Sequence, residues 1–392
     1  MRLTSVRSVW SILSNHLNIR AYHFQSAELT KAKKTNHFLK SGNAQAMQQT
    51  LRKLDRAFND MKSKGMGFPR YKKKMKSFHL ISNKIELNGN YLKMPLLKNI
   101  KLRKSRDIPD KFKIKQVQII KKASGYYANL MMVCDVDVPT PVPHGHAVGI
   151  DVGISSMIAT SDGLTIARPK FLDKALRQIK LLQRKLKKKT IGSGKWHKLQ
   201  QRIALLHEAV SNRRKNYHFL LAHQLCNGAG MIFVVGAACP KDININFKSW
   251  SKGLFCKQSL DMGLGQFFEI LEYVCSQTDT YFAKVDKDFT SQICPNCGTH
   301  TGKKDLSVRR HKCSECGYEQ DRDIAASEVV KKRGETNIAV GAPVVKQPSN
   351  GGRSGDYFSL AKSLYGNPSV YRWEVQSKSF RISHNFYCRL RK

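Results

Sequence analysis

The sequence is poor in acidic residues and has no long apolar run. Aspartate and glutamate together number 28, against 69 lysines and arginines, so the formal net charge is +41. No stretch of about 18 apolar residues is present, so the sequence predicts no membrane-spanning helix. No segment recurs with a period of about 20–50 residues, which excludes a repeat architecture. The basic excess favours nucleic acid as a partner and predicts salt-dependent binding, although a very soluble protein with solvated lysines would show the same excess.

Cysteine occurs mostly as single, scattered residues. Of the ten cysteines, only four form close pairs. This distribution indicates a reducing compartment and one metal site rather than a disulfide framework. The basic, acid-poor segment MRLTSVRSVWSILSNHLNIR at residues 1–20 suits an organelle presequence, but the same composition continues along the chain, and we favour an amphipathic helix of the protein itself.

Changes of hydrophobic period predict the organisation of the chain. Apolar residues at helical spacing in NAQAMQQTLRKLDRAFNDMK predict a buried helix over 43–62. The turn signal Asn88-Gly89 predicts one hairpin, and KIKQVQII is expected to pair with YYANLMMVCD in another. The proline-rich segment VPTPVPHG then marks a boundary. The predicted segments are 1–66 (helical), 67–142 (β), 143–288 (an α/β core), 289–318 (a metal ribbon), 319–335 (a further core helix) and 336–392 (a tail of unknown structure).

Strands alternate with helices in the predicted core. The apolar segments AVGIDVGISSMIAT, GMIFVVGAAC and TYFAKVD predict strands, and LGQFFEILEYVCSQ at 264–277 predicts a helix. Residues 170–226 predict two long basic helices that are interrupted at TIGSGK. This alternation is typical of a mixed α/β fold.

Two Cys-x-x-Cys pairs, each followed by glycine, predict a zinc ribbon. Cys294 and Cys297 form the first pair, and Cys313 and Cys316 form the second. Each pair supplies two thiolates at about the angle that tetrahedral zinc needs, and the glycine lets backbone amides turn towards sulfur. Because four thiolates complete the shell, the zinc is expected to be structural, and the neighbouring histidines at 300 and 311 are interpreted as surface residues.

Two aspartates stand at positions that suit a divalent cation. Asp151 ends an apolar strand inside GIDVG, where its carboxylate is at the sheet edge and glycine lets a phosphate approach. Asp323 begins a helix just beyond the cysteine pairs. Two-metal nucleases gather such carboxylates from distant segments. The Asp-x-Gly hairpin also occurs in ATPases that hold Mg-ATP, and either residue can be structural, as a turn residue or as a helix cap, so the residues alone leave these alternatives open.

Taken together, GIDVGISSMIATSDG, TSQICPNCG and CSECGYEQDRDIAAS resemble the TnpB family of transposon-encoded, RNA-guided nucleases. The segment LRKLDRAFNDM…GFPRYKKKMKSF is similar to the family's junction between recognition helices and a wedge-like β domain. The resemblance implies an α/β fold with an RNase H-like RuvC nuclease core, an N-terminal helical region, a small β wedge-like domain and an inserted zinc ribbon. It also implies catalytic Mg²⁺, structural Zn²⁺, a guide RNA from the transposon end and a double-stranded DNA target beside a short flanking motif. A cytoplasmic, nucleoid-associated bacterial protein is then expected.

The resemblance assigns the catalytic carboxylates by position in the motifs. Asp151 matches the first RuvC aspartate, and Asp323 matches the last, the second aspartate of an Asp-Arg-Asp pattern. Asp321, the first aspartate of that pattern, is held in reserve.

The family's usual glutamate at the end of the central strand is missing. Gly236 stands at that position in IFVVGAACP. Some branches of the family carry a displaced glutamate on the helix downstream, and the chain is similar to them. We therefore expect Glu272 to complete the catalytic site, with Glu269 as its reserve three residues earlier on the same helical face. An ordinary surface glutamate is the alternative for Glu272.

Two further departures bear on activity. Ala325 stands where the family commonly has asparagine. The N-terminus also lacks the opening strand usual in the family, which would leave the sheet of the wedge-like domain incomplete.

Cationic residues are expected to hold the nucleic acid. Guide–target pairing would supply specificity while the protein reads backbone shape and a flanking motif. A nuclease-inactive, RNA-guided DNA-binding protein with a repressor-like role is the alternative that Gly236 and Ala325 motivate, and an ATPase is a third. Besides the basic helix residues 174–189, the expected nucleic-acid-binding residues are Arg70, Tyr71, Lys72, Lys73, Lys74 and Lys76.

Overall fold

The structure is a computed structural model, and contacts between its elements divide the chain into two compact units. Met1–Asp137 and Ser369–Lys392 form unit 1, and Val138–Pro368 forms unit 2. The helix expected within residues 1–20 lies outside the described residues. The structure describes residues 22–64, 67–70, 75–81, 85–94, 98–104, 108, 112–135, 141–153, 155–235, 260–305, 307–340 and 381–390.

Unit 1 begins with helices whose apolar residues pack together. The predicted buried helix is confirmed as α3, which places Met47 and Leu51 in a small core with Leu29 and Leu39. Ala46, also on α3, packs into the core of the neighbouring sheet. The helices of unit 1 among the described residues are α1 (Tyr22–Thr35), α2 (His37–Lys40) and α3 (Ala44–Lys64).

The sheet of unit 1 has seven strands in the order β1-β5-β6-β14-β4-β3-β2. Both predicted hairpins are confirmed: β2 pairs with β3 across a turn in which Gly89 has a φ of +56°, and β5 pairs with β6. The strand between β6 and β4 comes from the tail, whose structure the sequence left open. The strands are β1 (Ser77–Ile81), β2 (Glu86–Asn88), β3 (Tyr91–Met94), β4 (Lys98–Arg103), β5 (Lys113–Lys122), β6 (Gly125–Asp135) and β14 (Arg381–Leu390).

Unit 2 is built on a mixed five-stranded sheet in the order β11-β10-β7-β8-β9. The strands β7, β8 and β9 are antiparallel neighbours, while β10 runs parallel to both β7 and β11. Three antiparallel strands followed by two parallel ones form the RNase H-like arrangement, so the predicted α/β class with an RNase H-like core is confirmed. The strands are β7 (Ala147–Asp151), β8 (Ser156–Thr160), β9 (Thr165–Ala167), β10 (Met231–Val235) and β11 (Tyr281–Val285), followed by the short pair β12 (Arg310–Lys312) and β13 (Glu319–Asp321).

The helices of unit 2 cover this sheet. The two basic helices and the helix at 264–277 are confirmed, and the last of these buries Phe267, Leu271 and Val274 in the main core. None of the described helices is long and apolar enough to cross a bilayer. The helices are α4 (Phe171–Lys187), α5 (Gly194–Cys226), α6 (Leu264–Gln277) and α7 (Arg322–Ala339).

The last helix, α7, lies directly against the sheet because glycines leave room for it. A Cβ at Gly149 of β7 would overlap the carbonyl oxygen of Ser327 and would lie 2.6 Å from the backbone nitrogen of Lys331. A Cβ at Gly334 would overlap the ring of Phe233 on β10. These contacts fix α7 across β7 and β10, with the first turn of the helix at the end of β7.

Candidate metal centre

The end of β7 and the start of α7 bring two predicted aspartates together. Asp151 is the last residue of β7, and Asp323 is the second residue of α7. Burial, and then the charge of Asp323, raise the pKa of Asp151 to about 7, although a hydrogen bond from the backbone of Val152 and the charge of Arg322 oppose the shift. Two partly buried carboxylates, the second of which raises the pKa of the first, form a site that favours a bound cation.

Asp323 has a raised pKa as well. Burial is the larger cause and the nearby Asp321 the second, while Arg309, Arg322 and a hydrogen bond from the side chain of Ser156 act in the opposite direction. Gly153 also lies in this corner, where a Cβ would be 3.0 Å from the carbonyl oxygen of Ser156 and 3.9 Å from a carboxylate oxygen of Asp323. The oxygen ligands gathered here are those that Mg²⁺ prefers.

Asp321 has a different role from Asp323. It is the N-cap of α7, and its Oδ1 accepts hydrogen bonds from the backbone nitrogens of Asp323 at 2.9 Å and of Ile324 at 3.3 Å. Capping satisfies amides that have no partner inside the helix. The first acid of the Asp-Arg-Asp pattern therefore holds the helix start, and the second is left free to face Asp151.

The two glutamates expected to complete the site are on helix α6. Glu272 is 57% exposed, and its Oε2 accepts a 3.0 Å hydrogen bond from Lys284 Nζ on β11. Glu269 is exposed on the same helix. Among the described residues, neither glutamate is one of the charges that shift the pKa of Asp151 or Asp323. Gly236, where the family's usual glutamate would stand, lies outside the described residues.

The cationic and hydroxyl neighbours of the pair were not singled out from the sequence. Arg309 lies between the two cysteine pairs, and its guanidinium donates to Ser155 Oγ at 3.2 Å. Arg322 donates to the carbonyl oxygens of Asp305 at 2.8 Å and of Val308 at 3.4 Å. Arg322 could have been noticed in the sequence, because it is the central residue of the Asp-Arg-Asp motif. Arg309 could not, because it belongs to no motif and comes close to Asp323 only through the fold of the ribbon.

The four cysteines are gathered as a zinc ribbon requires. Their sulfurs all lie within 4.8 Å of one another, and the Cys294–Cys316 and Cys297–Cys313 sulfur pairs are each 3.6 Å apart. A tetrahedral zinc ion with Zn–S bonds of about 2.3 Å places its sulfurs about 3.8 Å apart. The donor set and its dimensions therefore fit zinc.

The two knuckles repeat the same backbone geometry. The glycine after each pair has a positive φ, +78° and +69°, which favours glycine because it has no Cβ. Side-chain and backbone hydrogen bonds from Thr299 lower the pKa of the Cys297 thiol to about 6, and the backbone of Tyr318 lowers that of Cys316. The closing bonds join Cys294 N to Thr299 O and Cys313 N to Tyr318 O, both at 2.9 Å, and Gly298 N to Cys294 O at 2.9 Å and Gly317 N to Cys313 O at 3.1 Å.

One of the two ribbon histidines is not on the surface. His300 is exposed as expected, but His311 is only 1% exposed. Its Nδ1 contacts Lys304 Nζ, and its ring packs edge-on against Tyr318 at a centroid distance of 6.0 Å. Burial first, and then Lys304, lower the pKa of His311. The interpretation of His311 as a surface residue is wrong because the ring packs against Tyr318 and contacts Lys304.

The cationic residues expected to bind nucleic acid are partly described. Arg70 and Lys76 are exposed. Tyr71, Lys72, Lys73 and Lys74 lie outside the described residues. The α4–α5 hairpin forms an open cavity of ≈ 480 Å³ whose polar lining is entirely cationic. Its lining residues are Lys185, Lys188, Lys189, Lys195, Lys198, Leu199 and Arg202.

Two family models match the chain. A model described as "Probable transposase", of the OrfB type of IS605, matches residues 131–237. A model described as "Cas12f1-like, TNB domain" matches residues 265–330, which contain both cysteine pairs and Asp323.

Named relatives match most of the chain. A protein of Streptomyces pristinaespiralis named as an RNA-guided DNA endonuclease is 27% identical over 343 residues, which are 85% of this chain and 83% of the relative. InsQ of Escherichia coli K12, named in the same way, is 26% identical over 323 residues, 78% of each chain. A Cas12f1–sgRNA–target DNA complex aligns over 84% of this chain and 90% of its own, with a TM-score of 0.36 and 15% identity. The family models and the named relatives confirm the resemblance drawn from the motifs: the chain is similar to an OrfB-type transposase over 131–237, to a Cas12f1-like TNB domain over 265–330, and to proteins named as RNA-guided DNA endonucleases over most of its length.

Proposed function

We propose that the chain is an RNA-guided DNA endonuclease of a transposable element and that Asp151 and Asp323 hold the metal at which DNA is cleaved. The observation that carries this proposal is the pair of carboxylates whose pKa values are raised by burial and by neighbouring carboxylates. Two relatives over most of the chain are named as RNA-guided DNA endonucleases, which supports a guide RNA and a DNA target. The ATPase alternative gives Asp323 no role, whereas Asp323 lies beside Asp151.

The donor set at this site fits Mg²⁺. Bound there, Mg²⁺ would activate the attacking water and stabilise the leaving 3′ oxygen. The chain's own contribution is to hold the two carboxylates rigidly, through β7 on one side and the capped start of α7 on the other. Arg309 and Arg322 add positive charge next to Asp323, where a phosphodiester would have to lie.

Glu272 is the proposed third carboxylate, with Glu269 as its reserve. Its bond to Lys284 at 3.0 Å has to open before the carboxylate can bind a metal. The charge pair is largely exposed, and pairs of this kind contribute only about 0–1 kcal/mol, so opening costs little. Glu272 is therefore free to exchange this ion pair for a metal. Because an ordinary surface glutamate would make the same ion pair, a substitution at Glu272 is needed to tell the two roles apart.

The basic surfaces are the proposed nucleic-acid contacts. The α4–α5 cavity is lined by six cationic side chains and suits a phosphate backbone, and Arg70 and Lys76 flank the basic segment of unit 1. The guide RNA is proposed to come from the transposon end, and the target to be double-stranded DNA. A net charge of +41 and bacterial relatives favour a cytoplasmic, nucleoid-associated protein.

The test is plasmid cleavage by the protein purified with its co-expressed transposon-end RNA, on targets beside a randomised flank. Asp151→Asn and Asp323→Asn are expected to reduce cleavage by at least ~100-fold while guided DNA binding persists, because each removes a metal ligand but leaves the surface charge pattern nearly unchanged. Asp162→Asn is the matched control, since Asp162 is exposed on the next hairpin, where its carboxylate contacts His146 and Ser161. Wild-type cleavage by Asp151→Asn would contradict the proposal.

The same assay assigns the third carboxylate. Glu272→Gln and Glu269→Gln differ by three positions on one exposed helical face, so each is the control for the other. Loss of cleavage in Glu272→Gln alone supports the displaced-glutamate site, and loss in Glu269→Gln alone moves the role to the reserve residue. If the wild type binds its target without cutting it in Mg²⁺ or Mn²⁺, the protein is a guided DNA-binding protein instead.

A further inference from the structure

The sheet of unit 1 contains a strand that is far from the others in sequence. β14, residues Arg381–Leu390, lies between β6 and β4, whereas every other strand of this sheet lies within residues 77–135. Its register with β6 runs without interruption from the Arg381–Asp135 pair to the Arg389–Tyr127 pair. It also pairs with β4 at Leu390–Leu102 and Arg389–Arg103. The tail therefore supplies a central strand of the sheet.

Without β14 the sheet would fall into two pieces. Among the described residues, the neighbours of β6 are β5 and β14, and the neighbours of β4 are β3 and β14. Removing β14 leaves β1-β5-β6 and β4-β3-β2 as two separate three-stranded sheets. It also leaves one backbone edge of the eleven-residue β6 without a partner. Unpaired edges of this length are unfavourable when buried and promote association when exposed.

The sequence of β14 has the alternation that this slot requires. Residues directly opposite each other in antiparallel strands share a face of the sheet. Phe386 is opposite Leu130 and Cys388 is opposite Ala128, and both β6 side chains are fully buried. Leu390 is opposite Leu102, which is 2% exposed.

The alternate positions of β14 carry polar residues and face less buried partners. Asn385 is opposite Met131 and Ser383 is opposite Val133, and both of these β6 side chains are only half-buried. Phe386, Cys388 and Leu390 therefore stand opposite buried apolar side chains. Two pairs depart from this alternation, because His384 is opposite the buried Met132 and Tyr387 is opposite the buried Asn129. A shift by one residue would move the three apolar residues away from their buried partners, so the sequence favours the observed register.

We propose that residues 381–390 are a built-in strand that completes the sheet of unit 1, and that the slot between β6 and β4 is filled by the chain's own C-terminal segment. The slot and the strand belong to one chain, so their association is intramolecular and does not depend on the protein concentration, whereas a strand supplied by a second copy would.

Amide hydrogen exchange in the full chain tests this proposal, because the amides of β6 alternate between bonds to β5 and bonds to β14. In the wild type, both sets of β6 amides are expected to be protected. Removal of residues 369–392 should raise the exchange rate of the set that faces β14 by at least ~100-fold, and a synthetic peptide of residues 377–392 should restore protection. Equal exchange of this set in the wild type and the truncated chain would overturn the proposal.

A matched pair of substitutions keeps the test independent of whether the truncated chain folds. Phe386→Asp and Asn385→Asp each add one negative charge at adjacent positions of β14. Phe386→Asp is expected to reproduce the loss of β6 protection, and Asn385→Asp is expected to leave it within about threefold of the wild type, because only the first charge stands at a buried register position. Equal effects of the two substitutions would overturn the assigned register. A full-length protein that is dimeric, with a monomeric truncated chain, would show that the strand is exchanged between copies.

Discussion

Tyr318 donates a 2.8 Å hydrogen bond to Glu328 and so joins the second zinc knuckle to the helix that begins at Asp323. The first knuckle is joined to the same helix, because Lys332 donates to the carbonyl oxygen of Pro295. Both knuckles are therefore hydrogen-bonded to α7. Arg309, in the segment between the knuckles, is close enough to Asp323 for its charge to lower the pKa of that carboxyl. The ribbon is a structural support of the candidate metal centre although its own cysteines are not part of that centre.

Removal of the ribbon metal should therefore affect cleavage as well as folding. We expect one zinc ion per chain by elemental analysis, and Cys297→Ser should lower zinc affinity by at least ~100-fold because a tetrathiolate site loses a ligand. Cleavage should fall with it, since Arg309 and the start of α7 lose their support. His300→Ala is the control and should keep both zinc and cleavage, because this histidine is exposed. Unchanged cleavage by zinc-free protein would contradict the coupling.

Gly149→Ala tests the contact between β7 and α7. The new methyl group would overlap the carbonyl oxygen of Ser327, so either the helix or the strand must move. Overpacking of this kind costs about 1–3 kcal/mol of unfolding free energy, and the displacement of α7 should also reduce metal affinity. Gly194→Ala is the control, because a Cβ at Gly194 has no neighbour within 4 Å and its backbone is helical. Denaturant unfolding of the two variants should differ accordingly, and equal stabilities would refute the steric account.

The α4–α5 cavity should contribute to the salt dependence of nucleic-acid binding. Lys188 and Lys189 line it directly after the end of α4, whereas Lys180 and Lys187 lie on α4 outside the lining. Replacing the first pair by alanine should reduce the slope of log K against log salt by about 1.5, because each phosphate contact contributes about 0.7–0.9. Replacing the second pair removes the same charge and should change the slope by less than half as much. Fluorescence anisotropy at several salt concentrations measures both slopes, and equal changes would mean that net charge alone matters.

The elements of both units could be predicted where the pattern of the sequence is local. The helix at 264–277 and the Asn88-Gly89 hairpin follow from spacing and turn chemistry, and the structure confirms them. The meeting of Asp151 with Asp323 was predicted by the family resemblance. Its physical cause is the packing of α7 on Gly149, which no local pattern reveals.

Features that depend on long-range packing were missed for the same reason. Nothing in the tail's composition indicates that Arg381–Leu390 forms a central strand, because its partners lie about 250 residues earlier. The burial of His311 also depends on the fold of the ribbon rather than on its spacing. Arg309 and Ser156 come to the aspartate pair from separate segments. Such contacts are encoded in tertiary structure and leave no periodic signal in the sequence.

His218 should make unit 2 less stable in mild acid. It is fully buried, and its Nε2 lies 2.9 Å from the carbonyl oxygen of Met262. Burial lowers its pKa to about 4. The imidazole of His218 takes up a proton near pH 6.5 in the unfolded chain but stays neutral in the folded chain. The free energy of unfolding therefore keeps its full value above about pH 6.5 and decreases as the pH falls towards 4.

The expected loss from this group between about pH 7 and pH 5 is about 2 kcal/mol. His79 in unit 1 has a pKa lowered to about 4 by burial and contributes in the same window, so the readout must report on unit 2. Hydrogen exchange of β10 amides in the wild type and in His218→Gln provides it. The variant should be less stable at both pH values but should lose less on acidification. An identical pH dependence in the two proteins would rule out His218 as the group responsible.

Asp151→Asn should stabilise the metal-free protein at pH values above about 4. Burial and Asp323 raise the pKa of Asp151 to about 7, above the value near 4 of an unfolded chain. Below about pH 4 the carboxyl of Asp151 is protonated in both the folded and the unfolded chain, so it does not change the free energy of unfolding. Between about pH 4 and pH 7 the carboxyl ionises in the unfolded chain but stays protonated in the folded one, so the free energy of unfolding falls as the pH rises. Asparagine does not ionise, so the advantage of the variant should grow through this window and level off above it.

With a divalent cation bound, the wild type should become more stable than Asp151→Asn. Because a bound divalent cation requires the ionised carboxylate, its affinity for the wild type should rise up to ~10-fold per pH unit below about 7 and then flatten, whereas Asp151→Asn should bind weakly at every pH. Thermal unfolding at about pH 5 and pH 8, with and without Mn²⁺, measures all four combinations. A wild type that is as stable as the variant at about pH 8 without metal would show that the two carboxylates do not repel each other, and it would remove the electrostatic basis for placing a cation between Asp151 and Asp323.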